Sequence, residues 1–402
     1  MSNSVPEGWY QSKLGVVADL IMGQSPPSNT YNNSRIGLPF FQGKTDFGSH
    51  YPSVRVWCSK PTKVAEKDSI LFSVRAPVGD INIASESCCI GRGLAAIKGT
   101  KVEQAFLYQT FKFVKHRFQL LAQGSTFEAV SGGEMRDFKL ILPPLPEQKK
   151  IAAILTSVDT VIEKTQAQID KLKDLKTGMM QELLTKGIGH TEFKDSPVGR
   201  IPVEWEVATL GESFSLLSGS TPSRKDMTYF SSDQNAIPWV KTLDLNDEMI
   251  KSTDEKITER AIKNSSCKKL PIGTALIAMY GGWNQIGRSG VLSIEATTNQ
   301  AICALKFKGN VLGTFANYWL ISNRMRWKTI AASSRKDPNI TKQDVSDFLI
   351  AIPSLKEQES IIDRLDSATH IINLKCNKLI SLKKIKKALM QDLLTGKVRV
   401  KL

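Results

Sequence analysis

The chain has 402 residues, of which 41% are hydrophobic and 23% are charged, the composition of an ordinary folded protein. This length suggests two or three domains, and the composition excludes a disordered, collagen-like or purely coiled-coil chain. Lysine and arginine number 54 against 39 aspartates and glutamates, and the surplus of 15 positive charges is spread along the chain. Such a surplus favours an anionic partner, most often nucleic acid, and a basic protein without a polyanionic partner is the alternative.

No apolar run reaches the roughly 18 residues of a membrane span, and the longest candidate, 270–280, is interrupted by Pro271 and Gly273. The N-terminus lacks the basic and apolar segments of a signal peptide, so a cytoplasmic protein without membrane contact is expected. The six cysteines form no C-x-x-C pair, and the four histidines pair with none of them at metal-ligand spacing. We therefore expect reduced, mostly buried thiols and no metal site.

Short strand-like runs lie between turns rich in Gly, Pro and Asn, first within residues 1–146 and again within residues 187–356. Helices are predicted near Val102–Leu121 and at the corresponding place in the second half, near Val311–Ala332. Both regions therefore predict mixed α/β domains. The strand-like runs are Ser69–Val74, Leu94–Ile97, Thr274–Met279 and Ile302–Phe307.

A long helix is predicted over residues 147–186, since this segment contains no proline and its only glycine is Gly178. Pro146 suits the first turn of a helix, and the acidic Glu147 lies near the positive end of the helix dipole. A second helix of the same kind is predicted over residues 357–394. The apolar side chains predicted to pack the helices together are Ile151, Leu155, Val158, Ile162, Leu172, Leu183, Ile361, Leu365, Ile372, Leu382 and Leu393.

At about 1.5 Å per residue, each predicted helix is roughly 57 Å long. A helix with one apolar stripe is not stable alone, so the stripe has to be buried. The simplest partner of one helix is the other, as an antiparallel pair, although Thr165, Lys375 and Lys378 interrupt the stripe. The alternative, two ordinary core helices of separate domains, is disfavoured because both helices greatly exceed the mean length.

The second half of the chain repeats the first, and the register near the predicted helices holds without a gap from about residue 138 to 186. Insertions fall in the middle of each repeat, so each repeat is a variable globular part followed by a constant segment. A repeat of this length indicates two whole domains and not a solenoid. The matches include Trp9, Leu14 and Gly15 with Trp205, Leu210 and Gly211, and Glu147, Gln148 and Ile151 with Glu357, Gln358 and Ile361.

The predicted fold is therefore a mixed α/β tandem repeat, with two similar domains joined by two long antiparallel helices and related by an approximate twofold axis. The predicted boundaries are 1–146 for the first domain, 147–186 for the central helix, 187–356 for the second domain, 357–394 for the C-terminal helix and 395–402 for a short tail.

Signatures of an enzyme are absent from the sequence. It contains neither a G-x-x-x-x-G-K-[ST] phosphate loop nor a G-x-G-x-x-G turn, and it lacks the [DNS]-P-P-[YF] stretch of DNA amino-methyltransferases. Ser220 and Ser289 lack the G-x-S-x-G context of an activated serine. These absences favour a binding or organising protein over a catalyst.

Several short motifs occur in the same order in both halves. With the duplication, they make the chain similar to the specificity subunit of type I restriction-modification enzymes over essentially its whole length. Ser354 and Lys356 depart from the first copy of the proline-rich motif without changing the assignment. The motifs are Trp-x-x-x-x-Leu-Gly at 9–15 and 205–211, Pro-Pro-Leu-Pro-Glu-Gln at 143–148 with its variant at 353–358, and Leu-Leu-Thr at 183–185 and 393–395.

The resemblance implies that each variable part is a target-recognition domain that reads one half of a split sequence in double-stranded DNA. It also implies that the helices set the spacing between the half-sites and dock two modification subunits, which bind S-adenosylmethionine and methylate adenine. Restriction subunits would add ATP- and magnesium-dependent translocation and cleavage. The chain itself would bind no cofactor and would not be the catalyst.

Basic residues in loops of the variable parts are the candidates for DNA contact, since arginine can fork onto guanine and lysine mainly contacts phosphate. For each of them taken singly, a solvated surface charge is the alternative. Phe40, Trp239 and Trp283 are predicted to be core residues. The basic candidates are Lys44, Arg75 and Arg92 in the first domain, and Arg224, Lys225, Lys241, Arg288, Arg335 and Lys336 in the second.

Two alternative functions are compatible with a basic, repeated chain. A scaffold that binds DNA without reading its sequence would show an affinity set by salt alone. A stand-alone nuclease would show metal-dependent cleavage by the purified chain. The missing enzyme motifs and the variable loops weigh against both.

Overall fold

The computed structural model describes residues 5–123, 128–332 and 339–401, and within them no helix is long and apolar enough to cross a membrane. The chain divides into two compact units. Unit 1 consists of Met1–Gln168 with Cys376–Leu402, and unit 2 of Ile169–Lys375. Each unit thus combines a globular part with segments of the two longest helices.

The globular part of unit 1 contains two sheets of short strands and one helix of 20 residues, α2. One antiparallel sheet has the strand order β2-β10-β7-β8, a second sheet has the order β3-β5-β4-β9-β6, and β1 pairs with β11. The strands are β1 Tyr10–Lys13, β2 Ala18–Met22, β3 Tyr31–Asn32, β4 Leu38–Phe41, β5 Trp57–Cys58, β6 Val64–Ala65, β7 Ile70–Ser73, β8 Ile81–Ile83, β9 Cys88–Ile90, β10 Leu94–Gly99 and β11 Lys139–Leu142. The helices are α1 Leu14–Val17, α2 Gln104–Gln123, α3 Gly132–Asp137 and α4 Leu145–Lys186.

The two faces of β7 divide the core of unit 1. Successive side chains of a strand point to opposite faces, and here both faces are buried. Ile70 and Phe72 pack in the core that includes the aromatic side chains of α2, whereas Leu71 packs with residues of the β4 and β9 layer. The rings of Phe72 and Phe111 meet edge to face, with their centroids 5.7 Å apart. A continuous apolar run is therefore what a central strand between two layers requires.

Unit 2 repeats this plan with additional elements. Its main sheets have the orders β15-β23-β20-β21-β18 and β16-β19-β17-β22, while β14 pairs with β24 and β12 with β13. The strands are β12 Phe193–Ser196, β13 Gly199–Pro202, β14 Glu206–Thr209, β15 Phe214–Ser218, β16 Phe230–Ser231, β17 Ile237–Val240, β18 Met249–Ile250, β19 Glu255–Ile257, β20 Ala275–Ala278, β21 Ser289–Leu292, β22 Thr297–Thr298, β23 Ile302–Phe307 and β24 Leu349–Ile352. The helices are α5 Leu210–Ser213, α6 Glu259–Lys263, α7 Gly313–Ser322, α8 Arg324–Ala332, α9 Lys342–Ser346 and α10 Leu355–Leu394.

The helix predicted near Val311–Ala332 is in fact two helices, α7 and α8, which are separated at Asn323. Asn323 has a non-helical backbone conformation, with φ −101° and ψ 17°. Both its backbone N–H and its side-chain amide donate to the carbonyl oxygen of Trp319, at 3.0 Å each. Because an asparagine side chain can compete for backbone partners in this way, the helix ends where periodicity alone predicts continuation.

The two long helices run antiparallel, as the contents of each unit show. Unit 1 holds the beginning of α4 and the end of α10, which share one core through Ile151, Leu155 and Leu393. Unit 2 holds the end of α4 and the beginning of α10, which share another core through Leu183 and Leu365. A helix that begins where its neighbour ends is antiparallel to it.

The row of buried side chains on the long helices, their seam, is narrower than the apolar stripe in the sequence. Of the side chains predicted to pack, Val158, Ile162, Leu172 and Leu382 are half-buried and the other seven are buried. Thr165, which was expected to interrupt the stripe, is 4% exposed, and its hydroxyl donates to the carbonyl oxygen of Val161 at 2.7 Å. Apolar residues outside the seam are exposed: Val161, Leu175, Ile371 and Ile385.

An aspartate in α4 ties the helices to the globular part of unit 1. Asp159 accepts a hydrogen bond from Gln109 of α2 at 2.8 Å and forms an ion pair with Lys386 of α10. Lys112 of α2 lies 3.8 Å from the same carboxylate. Burial alone would raise the pKa of Asp159, but the hydrogen bonds from Lys386 and Gln109 and the charges of Lys112 and Lys386 together lower it below its ordinary value. The ionised carboxylate therefore stabilises the folded state.

The motifs at the start of each repeat and of each long helix meet in space. The indole Nε1 of Trp9 donates to Glu147 at 3.2 Å, and that of Trp205 donates to Glu357 at 3.1 Å. The paired residues are 138 and 152 positions apart in the chain. We call these two contacts the Trp–Glu clamps. Each clamp joins the segment before the first strand of a repeat, β1 or β14, to the long helix at the end of that repeat, α4 or α10.

The glutamine that follows each clamp glutamate is completely buried. Its side chain joins the loop before the domain's helix, α2 or α7, to the residues just before the long helix. Gln148 accepts from the backbone N–H of Glu103 and donates to the carbonyl of Pro143, both at 2.8 Å. Gln358 accepts from Leu312 at 2.8 Å and donates to the carbonyls of Asn310 and Pro353. Since buried polar groups have to be paired, these bonds explain why Glu and Gln occur together in both motifs.

The segment that leaves each long helix returns to the clamp at the start of the other. Arg399, beyond the end of α10, forms two hydrogen bonds with Glu147, at 2.7 and 2.8 Å. His190, beyond the end of α4, lies 2.9 Å from Glu357. Gly187 has φ +65°, and a Cβ there would lie 2.8 Å from the ring of Trp205, so glycine is required by both conformation and space.

Gln148→Ala is expected to destabilise unit 1 by about 2–4 kcal/mol, because it leaves a buried donor and a buried acceptor unpaired. The measurement is urea denaturation together with hydrogen exchange of the amides of α2. Gln181→Ala, at an exposed position of the same helix, is the matched control. Equal, small changes for both variants would contradict the structural role of the buried glutamine.

The stability that Asp159 contributes is expected to be complete above the ordinary pKa of an aspartate, about 3.9, and to fall as the pH drops through the lowered pKa of the folded state. The sign follows because folding lowers the pKa of Asp159, so the unfolded chain takes up the proton first as the pH falls. The difference in unfolding free energy between the wild type and Asp159→Asn should therefore shrink on acidification. Asp174→Asn, at an exposed position of α4, controls for the loss of one carboxylate. A difference that does not vary with pH would refute the assignment.

Candidate nucleic-acid interface

The three basic residues predicted for the first domain line one cleft in unit 1. Lys44 follows β4, Arg75 follows β7 and Arg92 follows β9, and all three side chains are exposed. The cleft has a volume of about 700 Å³, and Gln42 and Ser73 contribute polar groups to its wall. Three loops that are far apart in sequence thus bring cationic and amide donors to one place.

The cations of this cleft are held differently. Lys44 pairs with Asp80 at 2.6 Å, and Asp80 also binds Lys115. Burial would raise the pKa of Asp80, but the hydrogen bonds from Lys115 and Lys44 prevail and lower it. Across the described ranges, neither Arg75 nor Arg92 forms an ion pair with an acidic side chain. Both guanidinium groups are therefore available to an anionic or hydrogen-bonding ligand.

Two of the basic residues predicted for the second domain converge on one carboxylate. Arg224 and Lys241 each lie 2.7 Å from Glu255 of β19. Hydrogen bonds from Arg224 and Lys241 lower the pKa of Glu255, so the glutamate stays ionised. The guanidinium of Arg224 also lies over the rings of Phe230 and Trp239, at 4.5 and 5.0 Å. The guanidinium of Arg224 is thus held in place by the two rings and by Glu255, which also neutralises part of its charge.

The remaining candidates of unit 2 are not brought into this group by any described contact. Lys225 is exposed beside Arg224, and Arg288 is half-buried directly before β21. Arg335 and Lys336 lie outside the described residues. The contacts of these positions with DNA stay predictions.

The prediction that Trp283 is a core residue is wrong. Phe40 and Trp239 are buried, at 4% and 2% exposure, but Trp283 is 48% exposed. Gly281 and Gly282 precede it with φ values of +116° and +80°, conformations that direct the chain out of the sheet after β20. The exposure of this tryptophan was not predicted, although a Gly-Gly-Trp sequence after a buried strand is a signal for a protruding loop.

Sequence analysis also missed polar residues that shape the interface. Gln42 faces the cleft of unit 1, and Asp80, Lys115 and Glu255 orient the cations. No local motif marks them, because their partners lie on other loops. In the parts of the chain that the structure describes, no group of three or more His, Cys, Asp or Glu residues could hold a metal ion. The arrangement is suited to binding phosphates and base edges.

Comparison with known proteins places the chain in a family. The model of the type I restriction modification DNA specificity domain matches residues 6–174 and again residues 202–384. The putative type I restriction enzyme MjaX specificity subunit of Methanocaldococcus jannaschii is 42% identical over 185 residues, which cover 45% of this chain and 44% of the relative. The MjaVIII specificity subunit of the same organism is 26% identical over 412 residues, which cover 99% and 94% of the two chains.

The fold is also that of a solved specificity subunit. The crystal structure of the type I restriction-modification S subunit from M. genitalium matches with a TM-score of 0.64 at 16% identity, over 98% of this chain and 97% of that one. The duplicated domains and the two long helices are therefore shared with that protein. In this family the subunit that recognises the DNA sequence is not the catalyst. The chain belongs to the type I restriction-modification DNA specificity family.

Proposed function

We propose that the chain reads a bipartite DNA target and directs adenine methylation and restriction to it. The observation that carries this proposal is the contrast between constant and variable parts. The Trp–Glu clamps and buried glutamines recur in both units, while the exposed cations differ between them. Two readers with the same scaffold and different loops suit two different half-sites. We place this recognition in the cytoplasm, on double-stranded DNA.

The partners of this subunit are two modification subunits and, in a restriction complex, restriction subunits. The proposal is supported by apolar side chains of the long helices that are exposed within each unit. They include Val161 and Leu175 in α4, and Leu374 and Ile380 in α10, at 42–60% exposure. S-adenosylmethionine, ATP and magnesium are bound by these partners. The chain itself binds no cofactor.

The long helices act as the spacer between the half-sites. At about 1.5 Å per residue, the 42 residues of α4 extend for about 63 Å. Two reading domains that meet the same face of B-DNA have to be centred about one helical turn, or roughly 34 Å, apart. Helices of this length are sufficient for that separation. A scaffold without sequence preference would not need two differently lined domains.

The proposed function is tested by mapping methylated adenine across the genome of cells that express the chain with its modification subunit. Cells that express the modification subunit alone are the control. A split motif that appears only with the chain is expected, and it gives both half-sites at once. Salt-dependent binding without any motif would instead favour the non-specific scaffold, and metal-dependent cleavage by the purified chain would favour a nuclease.

Removal of seven residues from the middle of each long helix is expected to shorten the spacer by about three base pairs, since the helices shorten by about 10 Å. Residues 166–172 and 373–379 are chosen because the first segment starts seven positions after Asp159 and the second ends seven positions before its ion-pair partner Lys386. Methylated-motif mapping measures the result. Both half-sites should stay the same, and an unchanged spacer in a soluble, assembled variant would refute the role of the helices.

A further inference from the structure

The two units contain the same tight turn in front of the strand that continues into the core. In unit 1 this turn is 91–94, closed by a bond of 3.0 Å from the backbone N–H of Leu94 to the carbonyl of Gly91. In unit 2 it is 299–302, closed by a bond of 3.2 Å from Ile302 to Asn299. The turns precede β10 and β23, which occupy corresponding positions next to β7 and β20.

In each unit the turn is held by the corresponding neighbouring strand, β2 in unit 1 and β15 in unit 2. The backbone N–H of Gly23, after β2, donates to the carbonyl of Leu94 at 2.9 Å, and that of Gly219, after β15, donates to Ile302 at 3.2 Å. A Cβ at Gly23 would lie 2.8 Å from the carbonyl oxygen of Leu94 and still closer to the turn backbone, so the strand needs glycine there. These bonds align the turns residue by residue.

The second residue of the turn is Arg92 in unit 1 and Gln300 in unit 2, and both side chains are exposed. Each contacts the residue one position before a proline of the adjoining loop. The backbone N–H of Arg92 donates to the hydroxyl of Ser25 at 3.3 Å, and the hydroxyl of Thr221 donates to the side-chain oxygen of Gln300. The scaffold is therefore the same, while the side chain offered to a ligand differs.

We propose that Arg92 and Gln300 are corresponding specificity-determining residues: Arg92 reads a guanine in one half-site, and Gln300 reads an adenine in the other. The proposal rests on the proposed function and adds which residues read which bases. Three observations support it: the two turns occupy matched positions, both side chains are exposed, and Arg92 lies in one cleft with Lys44 and Arg75.

The chemistry of the two side chains sets the bases. A guanidinium group donates two parallel hydrogen bonds, which match O6 and N7 of guanine in the major groove. A glutamine amide donates to N7 of adenine and accepts from its N6 amino group. The bond from Thr221 uses one lone pair of the Gln300 oxygen and leaves the second lone pair and the NH2 group free. This bond also orients the amide.

The residues beside the two positions support a difference in ligand. Two residues beyond β7 lies Arg75, and two residues beyond β20 lies Tyr280. Arg75 lines the cleft with Arg92, so unit 1 combines two guanidinium groups that have no acidic partner within the described ranges. The two turns share their backbone hydrogen bonds, but their second residues offer different side-chain donors and acceptors. Such a position is suited to reading different bases.

The experiment maps methylated adenine in cells that express the modification subunit with the wild-type chain or with Arg92→Gln, Arg92→Lys or Gln300→Arg. In the first two variants, one G·C position of a single half-site should lose discrimination by roughly 10- to 100-fold. Gln300→Arg should change one A·T position of the other half-site only. Arg92→Lys keeps the charge but loses the fork, so it separates base reading from phosphate attraction.

Lys67→Gln is the matched control, since it removes a cation from an exposed position at the opposite end of β7 from Arg75. It should leave the motif unchanged. The proposal is overturned if the Arg92 and Gln300 variants methylate the wild-type motif at the wild-type level, or if each variant alters both half-sites. A wild-type chain that yields no split motif would instead refute the proposed function.

Discussion

Burial of a glutamate and a glutamine at the start of each long helix is the constraint on which the rest of this structure depends. Glu147 is 2% exposed and Gln148 is fully buried, so their polar groups have to find partners inside the protein. The partners come from the first residues of the repeat, from the loop before α2 and from the segment after α10. Three distant parts of the chain are thereby fixed to one helix turn.

This arrangement explains which parts of the sequence can vary. The residues that close each repeat are needed for folding, so they recur in both halves with the same hydrogen bonds. Within the described residues, the loops after β4, β7 and β9 in unit 1, and their counterparts in unit 2, take no part in these clamps. Their side chains can therefore change without loss of the scaffold, and in unit 1 these loops carry the exposed cations Lys44, Arg75 and Arg92. Specificity and stability are thus assigned to different residues.

Periodicity and repetition in the sequence were sufficient to predict the mixed α/β domains and the long helices, because both depend on patterns that recur at short range. The Trp–Glu clamps were not predictable as contacts, although their residues were visible as motifs, since 138 and 152 positions separate the partners. The division of α7 from α8 depends on one asparagine side chain. The exposure of Trp283 depends on two glycines with positive φ.

The candidate interface was predictable in composition but not in arrangement. Basic loop residues could be named from the sequence, yet their electrostatic state depends on acids in other loops. Glu255 holds Arg224 and Lys241 in unit 2, whereas Arg75 and Arg92 in unit 1 have no acidic partner within the described ranges. Only the folded chain distinguishes a cation that an acid already binds from one that is free for a ligand.

This difference in pairing has a consequence for how the two units meet DNA. Two exposed guanidinium groups without an acidic partner attract phosphate at a distance and release counterions when they bind. Arg224 and Lys241 share a carboxylate, so their net attraction for phosphate is smaller, and the fixed positions of their hydrogen-bond donors matter more than their charge. Among the basic candidates that the structure describes, Arg75 and Arg92 are therefore free for a new ligand, whereas Glu255 fixes Arg224 and Lys241 in place as hydrogen-bond donors.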